Sequence, residues 1–297
     1  MPPSNSTPRK STWLPLKLAP ENLTSPPENL APEMMLRAAM RSRIIDVDPS
    51  DGVRLPKSRN GKRSVPMTRE EVFGRIMPAI DTVDGRIPVW LAAGAGLRRD
   101  DCVGLPWGAV DLDQDVLHVA QVAVETSKKV VLRPYPKPAA GVRSVPITTG
   151  LSAILREYRE MRGDTSDKDL VVTNRTGKPM WRTNFRTRVW RPALVRAGLI
   201  GSLVESAAGV WHAAWTDATE AERHAEFATE TAAVECVALR YVGGPRFHDL
   251  RHSYATWLVS DGVAVNNAQK ATGHSLASTT LDLLHAHPGA LRGSSGC

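Results

Sequence analysis

Cysteine is scarce in this chain, and no stretch is long and apolar enough to cross a membrane. The three cysteines, Cys102, Cys236 and Cys297, lie far apart and in no metal-ligand spacing, which argues against a disulfide framework or a structural zinc site and for a reduced, cytoplasmic setting. No run of about 18 apolar residues occurs, so no membrane-spanning helix is expected. The first thirty residues carry Pro, Ser and Asn without an apolar stretch and do not read as a secretory signal. Acidic residues are absent from two segments. Positions 171–200 hold Arg175, Lys178, Arg182, Arg186, Arg188, Arg191 and Arg196 with no Asp or Glu, and positions 54–69 hold Arg54, Lys57, Arg59, Lys62, Arg63 and Arg69, again with none. The net charge of +7 over 297 residues is therefore unevenly spread. An acid-free basic run favours an anionic partner, most often nucleic acid. Between 202 and 244 the sign reverses, with seven acids against Arg223 and Arg240.

Apolar residues make up 42% of the chain, enough for a packed core. Residues 1–32 lack periodicity and read as disordered. A short helix is expected over 33–45, followed by a basic linker to about 66. Thr68 and Glu71 form a capping-box pattern that opens a helix towards Ile80. Another helix is expected over 86–94, broken by Gly94 and Gly96, with a further turn from Arg98. Alternating apolar residues around Val116–Gln121, continued through 122–132 and 142–147, predict a small antiparallel sheet. Helices are then expected over 148–162, 183–197, 247–260, 266–274 and 277–286. The fold class is mostly α with a small antiparallel β-sheet (α+β), and the acidic segment 202–244 reads as an insertion or lengthened connection.

The densest chemistry is the stretch Phe247-His248-Asp249-Leu250-Arg251-His252-Ser253-Tyr254, followed by Gly273-His274-Ser275. His248 and Arg251, three apart, share a helix face and suit one phosphate: the arginine fork binds its oxygens, and the imidazole exchanges a proton near neutral pH. His248 and His252 have no glutamate of an HExxH pattern between them and no evident third ligand, so no metal site is read. Gly94 and Gly96 lack the third glycine of a dinucleotide loop, Arg99 standing in its place. Trp190, Phe247 and Trp257 read as core.

The order of these motifs resembles the catalytic domain of the tyrosine recombinase (phage integrase) family. Gly96-Leu97-Arg98 before Leu105, Trp107 and Asp111 resembles the box of the first catalytic arginine. Pro136-Lys137 before Gly141 and Arg143-Ser144-Val145-Pro146 resembles the sheet turn of the catalytic lysine. The stretch 174–198 resembles the helix before the HxLRH box, and Thr279-Thr280-Leu281-Asp282 the segment leading to the nucleophile. The resemblance covers about 33–286. It implies DNA recombination or integration through a covalent phosphotyrosine, with no metal or nucleotide cofactor, in a homo-oligomer that is tetrameric on double-stranded DNA. It also implies a mobile-element or prophage origin. The implied catalytic residues are Arg98 and Arg251 on the phosphate, Lys137 protonating the leaving 5′-hydroxyl, and His248 and His274 assisting proton transfer. Arg182, Arg186, Arg188 and Arg191 are the expected DNA contacts.

One departure from the family stands out. Its tyrosine would fall two residues after Asp282, where this chain has Leu284, and no tyrosine follows Tyr254. Asp101 replaces the usual glutamate three after Arg98. The expected organisation is a remnant of a helical core-binding domain with its linker over 33–66, a catalytic domain over 67–287 and a diverged tail over 288–297. A catalytically inactive DNA-binding relative is the alternative function. A protein-binding role for the acidic segment is a third.

Overall fold

The computed structural model describes residues 32–49, 51, 66–134 and 142–272. The chain divides into two units, 1–61 and 62–297. In the first, α1 spans Pro32–Arg41. It stops four residues before the expected end because Arg43 takes a positive φ of 54°, and the chain closes with Ile44 N–H donating to Ala39 O at 2.9 Å.

The second unit opens on the Thr68–Glu71 capping box: Thr68 N–H donates to Glu71 Oε2 at 2.7 Å and Glu71 N–H to Thr68 Oγ1 at 3.1 Å. The helix behind it, Glu70–Ile76, is wound as a π-helix. Helix α2 (Val83–Ala95) begins at Thr82, whose side chain accepts from Gly85 N–H, and runs through Gly94 to stop at Gly96. Helix α3 (Arg99–Gly104) follows at once. The expected sheet is two. Strands β1 (Val110–Asp111), β2 (Val116–Val119) and β5 (Arg143–Pro146) form one antiparallel sheet in the order β1-β2-β5, while β3 (Gln121–Glu125) and β4 (Val130–Pro134) form a separate hairpin.

After α4 (Thr149–Arg162), α5 (Arg182–Phe185) passes through a π-turn at Arg186–Trp190 into α6 (Arg191–Arg196). Pro192 has no N–H for an i→i−4 bond, and Arg191 N–H donates instead to Arg186 O. The acidic segment, read above as an insertion or lengthened connection, is folded. Strands β6 (Ser202–Glu205), β7 (Trp211–Thr216) and β8 (Glu222–Phe227) make an antiparallel sheet in that order. Its inward residues Ala213 and Trp215 are buried, as are Val234 and Val237 of α7 (Glu230–Arg240). Helices α8 (Asp249–Ser260) and α9 (Val265–Thr272) complete the described chain. The expected helix over 277–286 lies outside the described residues.

The core is one cluster centred on Leu91, Leu97, Trp107, Leu151, Leu155 and Leu194. Trp190 is in it, as expected; Phe247 and Trp257 are half-buried and pack against it. Against the far side of α8, Trp257 donates through Nε1 to Met67 O at 3.1 Å and takes the Arg69 guanidinium over its ring at 5.2 Å. Met67 N–H donates to Ser253 Oγ at 2.8 Å. Helix α8 is thereby fixed along its back.

Candidate functional site

The site begins at the turn that ends α2. Gly96 adopts φ 63°, and a Cβ there would stand 2.4 Å from Tyr254 Cδ1, so a glycine lets this turn lie directly against α8. Two residues on, Arg98 starts α3, its backbone N–H donating to Asp101 Oδ2 at 3.0 Å. The same oxygen accepts from Arg143 Nη2 at 2.8 Å, and Asp101 is fully buried. The Asp101 carboxylate thus joins the Arg98 turn to β5, the strand that follows the segment carrying Lys137. The sequence marked Asp101 only as a substitute for glutamate and gave Arg143 no role. The buried pair is the supporting chemistry it missed.

Arg251 is 1% exposed. Its Nη1 donates to Gly96 O at 2.6 Å and its Nη2 to Thr272 O. One buried guanidinium therefore binds the turn that carries Arg98 and the end of α9, two residues before His274. Arg251 was expected to reach the phosphate directly. In the structure its two terminal nitrogens donate to these two carbonyls.

His248 sits at the start of α8 with His252 one turn on, their rings 4.7 Å apart and edge-to-face at 89°. His248 is exposed. Partial burial, then the positive charges of Arg251, Arg246 and Arg98, hold its pKa below the ordinary imidazole value despite the opposing charge of Asp249. Burial, and then His248 itself, push His252 down to about 4. These surroundings favour the neutral imidazole, the form that can accept a proton.

His248 and Arg98 line one cleft of about 460 Å³, together with Arg182, Arg186 and Arg246. Its floor is aromatic, with Phe247 edge-on to Phe185 at 5.2 Å and to Trp190 at 5.6 Å. Its acid, Asp100, is held by Arg99 Nη2 at 2.5 Å.

Of the four expected DNA contacts, Arg182, Arg186 and the buried Arg191 line that cleft, and Arg188 does not. Arg191 is 6% exposed and donates to three backbone carbonyls, those of Ala238, Tyr241 (2.6 Å) and Gly243 (3.3 Å). Burial depresses its pKa. It is a structural clamp because it lies on the core side of α6, between Trp190 and Pro192. Arg188 is exposed but lines a separate depression with Arg175, Arg196, Asp81 and Asp84. Arg182 and Arg186 are exposed at the cleft. Lys137, His274 and Leu284 lie outside the described residues. Among the described residues no group of three or more His, Cys, Asp or Glu is placed to hold a metal ion, and no helix is long and apolar enough to cross a membrane.

Residues 223–288 match the model of the phage integrase family. The chain is 30% identical over 249 residues to the tyrosine recombinase XerA of Thermococcus kodakarensis, covering 82% of this chain and 66% of that protein. It is 23% identical over 212 residues to a XerC-like tyrosine recombinase of Caldanaerobacter subterraneus, covering 65% of this chain and 43% of the relative. The chain thus spans less than two thirds of the length of both curated relatives. Among solved structures, the integrase of transposon Tn1549 in complex with transposon right-end DNA superposes with a TM-score of 0.56 at 18% identity, over 86% of this chain and 75% of that one. The same integrase with circular-intermediate DNA gives 0.55 at 16% identity, over 86% and 76%. These two establish likeness of fold. With HxLRH on α8, the Gly96-Leu97-Arg98 turn beside it and the curated relatives, they lead to one assignment: the chain belongs to the phage integrase family of tyrosine recombinases.

Proposed function

We propose that this chain is a DNA-binding recombination or integration protein whose basic cleft seats a backbone phosphate of double-stranded DNA. The observation that carries the reading is the gathering of Arg98, Arg182, Arg186, Arg246 and His248, from three separated stretches of sequence, around one cleft. Arginine forks match phosphate oxygens, and a neutral imidazole beside them can take up or pass on a proton. In this proposal Arg98 and His248 meet the phosphate, and Arg251 holds the Arg98 turn in place. Lys137 serves the leaving 5′-hydroxyl and His274 the phosphate. The integrase structures of similar fold are DNA complexes, which supports DNA as the partner. Assembly into a homo-oligomer on DNA and a cytoplasmic setting belong to the same proposal.

Leu284 favours a second reading of the chemistry, a protein that binds DNA without breaking it. A leucine side chain offers only carbon where phosphotyrosine formation needs an oxygen nucleophile. The experiment is incubation with a nicked substrate that traps covalent intermediates, followed by denaturing electrophoresis. No adduct is expected from the unmodified chain, and Leu284→Tyr should give some. An adduct from the unmodified chain would refute the second reading and restore full recombinase chemistry.

A further inference from the structure

We propose that Arg246 builds a second phosphate seat beside the one at Arg98 and His248, taking the neighbouring backbone phosphate of bound DNA. The inference deepens the DNA-binding reading and rests on it. Arg246 drew no notice in the sequence, standing two residues before His248 in no recognised motif position. Its side chain is 60% exposed, yet it is held. Nη2 donates to Asp249 Oδ1 at 3.0 Å, Nε approaches Oδ2 at 3.5 Å, and the backbone N–H donates to Oδ2 at 2.8 Å. The Asp249 carboxylate is itself buried. One edge of the guanidinium is thus clamped by a buried anion, Nη1 makes no hydrogen bond among the described residues, and the residue lines the cleft. A planar fork fixed along one edge loses little conformational freedom when it receives an oxygen on the other.

The loop behind Arg246 is fixed as well. Gly243 and Gly244 have φ of 95° and 80°, and a Cβ on Gly244 would meet Ile200 Cγ2 at 2.4 Å. Arg191 holds the Tyr241 and Gly243 carbonyls, and Trp190 Nε1 donates to Pro245 O at 3.0 Å. Trp190 and Arg191 belong to the same helical stretch that presents Arg182 and Arg186. One stretch of chain therefore supplies two exposed arginines and also fastens the loop that carries the third. Arg246 is in this sense preorganised for an anion, and the cleft's acid, Asp100, is already paired to Arg99.

The test is equilibrium binding of the full chain to a fluorescent DNA duplex as a function of salt. Arg246→Gln, whose amide can still donate to Asp249, should make the log–log salt slope shallower by about one and weaken binding about fivefold near 0.15 M salt, regardless of DNA sequence. Arg246→Lys, which keeps the charge but not the fork, should restore the slope. Arg156→Ala, an exposed cation in a different depression, should change nothing. If Arg246→Gln keeps the slope of the unmodified chain, the second seat is wrong while the DNA reading stands. If both Arg246 variants lose slope and melt at lower temperature, Arg246 only buttresses the loop and the proposal falls. If the unmodified chain does not bind at low salt, the DNA-binding reading falls, and this inference with it.

Discussion

Replacing Asp101 with alanine should be among the most damaging single changes in the chain. Its carboxylate is fully buried and accepts from Arg143 Nη2 at 2.8 Å and from the backbone N–H of Arg98 at 3.0 Å. Removing it takes this carboxylate from the nearly buried Arg143 guanidinium, with 7% of its side chain exposed. Breaking a buried pair from one side costs about 3–5 kcal/mol. Loss of the hydrogen bond at the start of α3 adds about 1 kcal/mol. For a folded unit of this size each kcal/mol is worth about 2–4 °C in melting temperature, so the shift should be about 8–24 °C. Urea unfolding of Asp101→Ala, Arg143→Met and the double variant is the assay. The double variant should be less destabilised than Asp101→Ala, because it no longer buries the cation that this carboxylate offsets. A cost below about 1 kcal/mol for Asp101→Ala would show that the pair does not tie α3 to β5. Phosphate binding should weaken in the folded fraction too, since Arg98 loses its anchor.

Gly96→Ala combines a positive φ of 63° with a Cβ placed 2.4 Å from the Tyr254 ring; it should cost about 2–4 kcal/mol in urea unfolding, and a neutral result would mean that the turn can move off α8. Trp257→Ala removes the hydrogen bond to Met67 O, the Arg69 cation over the ring and the contact with Phe73 at 5.8 Å; a loss of about 3 kcal/mol is expected in thermal unfolding. Stability should also fall in acid. His252 titrates near 4 when folded against an ordinary 6.5, so between those values the unfolded chain binds the extra proton. Stability from this group is full above about pH 6.5 and is lost as pH falls towards 4. Melting temperature against pH should decline through that window, and the decline should shrink in His252→Gln.

What the sequence made legible was local chemistry. The Thr68–Glu71 box and the helix of the HxLRH motif are each set by residues within one or two turns of each other, and each stands in the structure where it was expected; the helix expected to break at Gly94 and Gly96 runs through the first and stops at the second. The secondary structure of the acidic segment was not read because its charge hid a period of two. Trp211, Ala213 and Trp215 face α7 while His212, Ala214 and Thr216 face away, an alternation that was readable had the acids been set aside. Arg191 was indistinguishable by type from Arg182 and Arg186. The available signal was its flanks, Trp190 on one side and Pro192 to Val195 on the other, all buried. Arg251 could be picked out by resemblance, but its partners could not. The Gly96 and Thr272 carbonyls lie 155 and 21 residues away in sequence, and only the fold brings them to one guanidinium. Arg246 carries no motif of its own, and what orients it is its contact with the buried Asp249.

The central claim, a cleft built to hold DNA phosphates, is tested most directly by the salt dependence of duplex binding by the unmodified chain. With about five phosphates neutralised by the cleft and its basic surroundings, the logarithm of the association constant should fall against the logarithm of salt concentration with a slope near −4 to −5. A flat dependence, or no binding at low salt, would contradict the account.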